Sequence, residues 1–116
     1  MPHRPEKLLY DMLTAIEALR SFADDRDRSD YAADLLFRSA VERQLEILGE
    51  AMRRLEKLDA SLVKKISDYR EIINLRNVIA HGYDEIDDDI IWQIVTASLN
   101  GVERDARTLL QAFDSP

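Results

Sequence analysis

The sequence has no cysteine, three glycines, three prolines, one tryptophan and two histidines in 116 residues. Each scarcity excludes something. Without cysteine there is no disulfide framework, no thiol nucleophile and no zinc–thiolate site. Two prolines fall within the first five residues, so interior turns are few and long helices are favoured. No stretch approaches the ~20 apolar residues of a membrane span. The start lacks the basic and apolar regions of an export signal, so the expectation is a cytoplasmic chain with no membrane partner. What is present suits a globular protein: 46% hydrophobic and 34% charged residues, enough for one core in one domain over residues 1–116.

Charge of one sign dominates, but unevenly. The net charge is −7, which argues against a general nucleic-acid coat, since such binding draws its affinity from neutralised phosphates. Residues 1–52 sum to −4 and residues 77–116 to −6, whereas residues 53–76 sum to +3. That middle stretch holds Arg53, Arg54, Lys57, Lys64, Lys65, Arg70 and Arg76. It reads either as a solvated face with a basic loop or as an anion-attracting strip ending at Arg76.

Apolar periodicity predicts an all-α fold. A first helix is expected from Pro5 to Asp24, with Leu9, Met12, Ile16 and Leu19 spaced by three and four. A long second helix is expected from Tyr31 to Leu58, with Ser29 or Asp30 as N-cap. Its main stripe is Phe37, Val41, Leu45, Leu48, Met52 and Leu55. A second stripe of Leu36, Ala40, Ile47 and Ala51 implies either a subunit interface or a central helix wrapped on several sides. Asp59 can cap a short helix carrying Leu62, Val63 and Ile66. An apolar helix follows from Tyr69 to His81, ended by Gly82 in the left-handed region. The last helix is expected from Asp87 to Phe113 on the stripe Ile91, Val95, Leu99, Val102, Ala106, Leu109 and Phe113. The predicted architecture is an up-and-down bundle of four longer helices plus one short helix.

The candidates for chemistry are few. His3 lies at the extreme start, leaving His81 as the histidine of interest. On an ideal helix Arg76 and His81 are about 140° apart, whereas Asn77 and His81 share a face. By spacing alone His81 reads as a helix C-terminal residue favoured by the dipole, and Arg76 as half of an ion pair. The five carboxylates among residues 84–89 read as caps for the last helix, and Trp92 as core. Glu46 and Glu50 have the spacing of half a di-metal carboxylate site, but the required Glu-x-x-His partners are absent. No metal or cofactor is expected.

The stretch Arg76-Asn77-Val78-Ile79-Ala80-His81-Gly82-Tyr83 resembles the R-x4-H-x-Y motif of the HepT toxins, the short branch of the HEPN superfamily. The segment from Arg38 to Leu55, with L-E-I-L-G-E-A at Leu45 to Ala51, resembles the family's long second helix. Asp89 to Val95 resembles the start of its last helix. The likeness covers about residues 8–113 and implies a HEPN-like bundle, a homodimer with both motifs facing one cleft, and a metal-independent endoribonuclease. The implied catalytic residues are His81 as acid/base and Arg76 on the phosphate, with Asn77 supporting. The resemblance further implies an MntA-type nucleotidyltransferase antitoxin as partner and Tyr83 as its AMPylation site. The substrate expected is RNA, either tRNA or mRNA. The rival reading is a non-catalytic helical dimer that binds a nucleotidyltransferase.

Overall fold

A computed structural model describes residues 4–82 and 86–114. Helix α1 spans Pro5–Ala23, α2 Arg28–Ala33, α3 Leu35–Leu58, α4 Ala60–Val63 and α5 Tyr69–Ala80. Helix α6, Asp88–Gln93, passes through a π-helical turn at Ile94–Ser98 into α7, Leu99–Asp114. No strand occurs among the described residues, so the all-α class stands.

Helix α3 is the axis of the molecule. Its predicted stripe is wholly buried: Phe37, Val41, Leu45, Leu48, Met52 and Leu55 all point into the core. There α3 packs against α1, which brings Leu9, Met12, Ile16 and Leu19, and against α5, which brings Ile72, Leu75 and Ile79. Helix α7 closes the other side of α1 with Leu99, Val102 and Ala106. The second stripe of α3 is divided. Ala51 is buried and Ile47 half-buried, but Leu36 is 81% exposed, as is its neighbour Leu35 at 76%. At the start of α3 the apolar excess therefore faces outward rather than into a wrapping helix.

Two boundaries differ from expectation. The predicted second helix is broken at Asp34, whose carboxylate accepts from the Phe37 amide and caps α3. The preceding turn is a separate helix, α2, capped by Asp27 rather than by Ser29 or Asp30. Asp27 and Asp30 form a reciprocal capping box, each side chain accepting from the other's backbone amide. The last helix is likewise interrupted by its π turn, where one more residue per turn is accommodated.

Helix α5 is fixed at its start by a polar clamp. The Ser67 amide and hydroxyl both donate to Asp105 of α7, at 2.8 and 2.6 Å. Gly101 lies directly opposite, and a Cβ there would come 3.3 Å from the Ser67 side chain. Gly101 is thus where the α4–α5 connection presses on α7. At the far end Gly82 takes φ +65°, the left-handed residue predicted to stop the helix.

Candidate active site

The site residues sit on α5, and its packing decides where each one points. Ile72, Leu75 and Ile79 face α3, which places Arg76 on one flank of the contact and His81 on the outer side. His81 is the C-cap residue of α5 and is exposed. Asn77, four residues before it, is half-buried. The outer side of α5 thus carries Asn77 and His81 together, as their spacing predicts.

Arg76 runs back across α3. It crosses at Gly49, where the two helices come so close that a Cβ would stand 2.3 Å from Arg76 Cβ and 3.1 Å from the Ile72 carbonyl oxygen. Beyond that crossing Arg76 Nη2 donates to Glu50 Oε2 at 2.9 Å, and Nη1 donates to Asn77 Oδ1 at 3.1 Å. The Nε atom is buried with no hydrogen-bond partner among the described residues. The side chain keeps 26% of its surface exposed, lining a cleft of about 210 Å³ between α1, α3 and α5. The ion pair expected of an isolated arginine is therefore present, with Glu50 as its carboxylate.

Glu50 is a meeting point. It also accepts from Arg53 and Arg54 of its own helix, at 3.2 and 3.1 Å. Hydrogen bonding from Arg53, with further help from Arg54 and the charge of Arg76, holds its carboxyl below the ordinary glutamate range. One carboxylate thus gathers three guanidiniums at this point of α3. Glu46, its partner in the rejected di-metal arrangement, pairs instead with Arg43. No group of three or more metal-ligating side chains occurs among the described residues.

The first cleft takes in Arg43, Arg54 and Arg76 along with Asp11, Glu46 and Glu50. A second, of about 350 Å³, separates α5 from α6 and the π turn and is lined largely by Leu75, Val78, Ile86, Ile90 and Ile94. His81 lines neither. By helical phase Arg76 and His81 stand about 140° apart on α5, with Asn77, which accepts from Arg76, between them. Tyr83, the predicted modification site, lies outside the described residues, as do Asp84, Glu85 and His3.

The rest of the acidic run is structural. Asp87 caps α6 by accepting from the Asp89 amide, while Asp88 and Asp89 pair with Arg38 and Arg28. Trp92 stacks on Tyr31 and meets Phe37 edge-on, a core role as read from its stripe. Sequence reasoning overlooked Gly49 and Glu50 as neighbours of Arg76. The available signal was a glycine kept inside a 24-residue helix, where alanine is favoured by about 1 kcal/mol.

An all-α bundle presenting an arginine and a histidine from one helix defines a class, and the comparisons with known proteins narrow it. The family described as Ribonuclease HepT-like matches residues 12–109. "Putative RNase MJ1380" of Methanocaldococcus jannaschii is 30% identical over 97 residues, covering 84% of this chain and 88% of its own. "Probable ribonuclease HepT" of Thermococcus cleftensis is 31% identical over 87 residues, covering 75% and 78%. "Putative RNase TTE0752" of Caldanaerobacter subterraneus is 27% identical over 107 residues, covering 92% and 95%. No solved structure matches the chain at a significant level. The chain belongs to the HepT-like ribonuclease family. Among the described residues no helix is long and apolar enough to cross a membrane.

Proposed function

We propose that this protein is a metal-independent endoribonuclease, acting as the toxin of a HepT–MntA-like toxin–antitoxin pair. The observation that carries the reading is the family match over residues 12–109 together with an accessible Arg76 and His81 on α5. RNA brings its own nucleophile, the 2′-hydroxyl. Cleavage then needs a base for that proton, an acid for the leaving 5′-oxygen and a cation for the crowded phosphate. Imidazole serves both proton roles near neutrality. Guanidinium is a permanent cation whose planar fork suits phosphate oxygens.

One protomer supplies a single candidate histidine, about 140° around α5 from Arg76. A two-fold dimer that set the His81 of each protomer toward the Arg76 flank of its partner would bring two imidazoles and two guanidiniums together. The reaction would leave a 2′,3′-cyclic phosphate and a 5′-hydroxyl. Asn77, which already accepts from Arg76, would support the guanidinium. AMP groups placed on Tyr83 by the nucleotidyltransferase partner would add bulk and negative charge two residues from His81 and repel RNA.

The test is incubation of the purified protein, in EDTA, with labelled tRNA and mRNA. Cleavage to cyclic-phosphate ends that falls at least 100-fold in His81→Ala and Arg76→Ala, with both variants still dimeric, is the expected result. The second reading, a non-catalytic dimer that binds a nucleotidyltransferase, is favoured by the Glu50 pairing of Arg76 and by the acidic total. A well-folded wild-type dimer that cuts no RNA would establish that reading instead.

A further inference from the structure

We propose that Gly49 and Glu50 are positioning residues for Arg76, setting where its guanidinium stands and how freely it moves. The inference rests on the nuclease reading of Arg76, and its subject is a pair of residues on a different helix. Three observations point the same way. A Cβ on Gly49 would lie 2.3 Å from Arg76 Cβ and 2.9 Å from its Cγ, so only glycine lets this side chain cross α3 where it does. Glu50, the next residue, then meets the far end of the same side chain at 2.9 Å. Asn77 takes the other terminal nitrogen, so the head is held from two helices at once.

An unrestrained arginine has several rotatable bonds to freeze before it can serve a transition state. Here that ordering is completed when the chain folds. The carboxylate also keeps Arg53, Arg54 and Arg76 within one cluster that would otherwise repel itself. Glu50 therefore acts in two opposed ways. It orders the phosphate-binding cation, and it subtracts one unit of positive charge from the place where RNA binds.

That opposition gives a signature that loss of folding does not imitate. In Glu50→Gln the kcat on a labelled single-stranded RNA containing every dinucleotide step is expected to fall about 10- to 100-fold, because the cation is misplaced. The KM is expected to stay level or to fall, because the arginine cluster has gained charge for phosphate. The acid and base limbs of the pH–rate profile should keep their positions while the plateau drops. Glu50→Asp, which keeps the charge, should recover part of the loss. Gly49→Ala should lower kcat in the same sense; if that variant does not fold, Glu50→Gln still decides.

A second readout is independent of cutting. The Arg76 Nε–Hε resonance in the ¹⁵N-labelled dimer should shift and broaden in Glu50→Gln, as the head loses its anchor. A Glu50→Gln enzyme with kcat within twofold of wild type overturns the inference. So does a loss of activity that leaves the Arg76 resonance untouched. Should the wild type cut no RNA, the nuclease reading falls by itself; an Arg76 resonance insensitive to Glu50→Gln would then sink the positioning role as well, and a shifted one would retain it.

Discussion

Helix α3 carries a charge cluster near each end, and the two are built with opposite arithmetic. Near its start one guanidinium, Arg38, serves two carboxylates, Glu42 at 3.1 Å and Asp88 at 2.8 Å. Towards its end one carboxylate, Glu50, serves three guanidiniums. The first cluster ties α6 to α3 over an aromatic group in which Arg38 lies on the Tyr31 ring and Tyr31 stacks on Trp92. The second sits at the closest approach of α3 and α5 and opens on a cleft. What differs is the surplus. An excess of carboxylates suits the caps of α6, whereas the guanidiniums gathered on Glu50 set positive charge at the crossing of α3 and α5. A net charge of −7 describes neither end.

The strongest way to break this contrast is to delete the odd charge at the start. Arg38→Ala removes two charge-assisted bonds and the cation over Tyr31, and is expected to cost about 1–3 kcal/mol of stability. Thermal unfolding should therefore begin several degrees lower. RNA cleavage per folded molecule should stay within twofold of wild type, because the ion-pair and ring partners of Arg38 lie on α2, α3 and α6. A cleavage loss as large as that of Arg76→Ala, at a temperature where the variant is folded, would show that both clusters serve the reaction.

A gentler cut separates the aromatic group from the ions. The Tyr31 hydroxyl donates to Glu42 Oε2 at 3.0 Å, and burial, reinforced by the Glu42 charge, pushes its pKa well above the usual phenol value. Tyr31→Phe keeps the ring and loses one hydrogen bond, leaving Glu42 still paired with Arg38. About 1 kcal/mol of destabilisation is expected by chemical denaturation, with an unchanged denaturant dependence. A loss above about 3 kcal/mol would mean that the hydroxyl, rather than the stacking, organises this end.

How much of this was written visibly in the sequence depends on whether the signal is local. The buried stripe of α3, that of the last helix as far as Ala106, the Asp59 cap and the left-handed Gly82 each depend on residues a few positions apart, and each was legible. Beyond Ala106 the stripe surfaces, with Leu109 half-buried and Phe113 42% exposed. The break at Asp34 was not, because Tyr31 continues the apolar rhythm and hides an aspartate standing before Leu35, Leu36 and Phe37. The π turn was no better marked. Ile91, Val95 and Leu99 advance by two successive fours, but so do Phe37, Val41 and Leu45 in an uninterrupted α-helix. For the site, Arg76 and His81 were singled out through their motif, and helical phase sets where each stands on α5. The Gly49–Arg76 crossing and the Glu50 pairing are contacts between helices, and no spacing within either helix encodes them.

Acid offers the smallest and sharpest test, since it acts on the two clusters through one variable. Hydrogen bonding from Arg38 holds Asp88 below the ordinary aspartate range, and hydrogen bonding from Arg53 does the same for Glu50. A carboxyl whose folded-state pKa is depressed adds stability that is complete above the unfolded value. That stability is lost as pH falls through the folded value. Asp88→Asn should therefore lower the melting temperature at pH 7, by an amount matching about 0.2–1 kcal/mol for a partly exposed pair. The gap to wild type should hold from pH 7 to about 5 and close progressively below pH ~4, as the wild-type carboxyl protonates and comes to resemble the variant. Glu50→Gln should show the same closing gap, with one addition. Neutralising Glu50 leaves Arg53, Arg54 and Arg76 facing one another, so added salt should rescue this variant more than Asp88→Asn. Equal rescue by salt at both ends would erase the distinction between a cluster short of positive charge and one that holds it in excess.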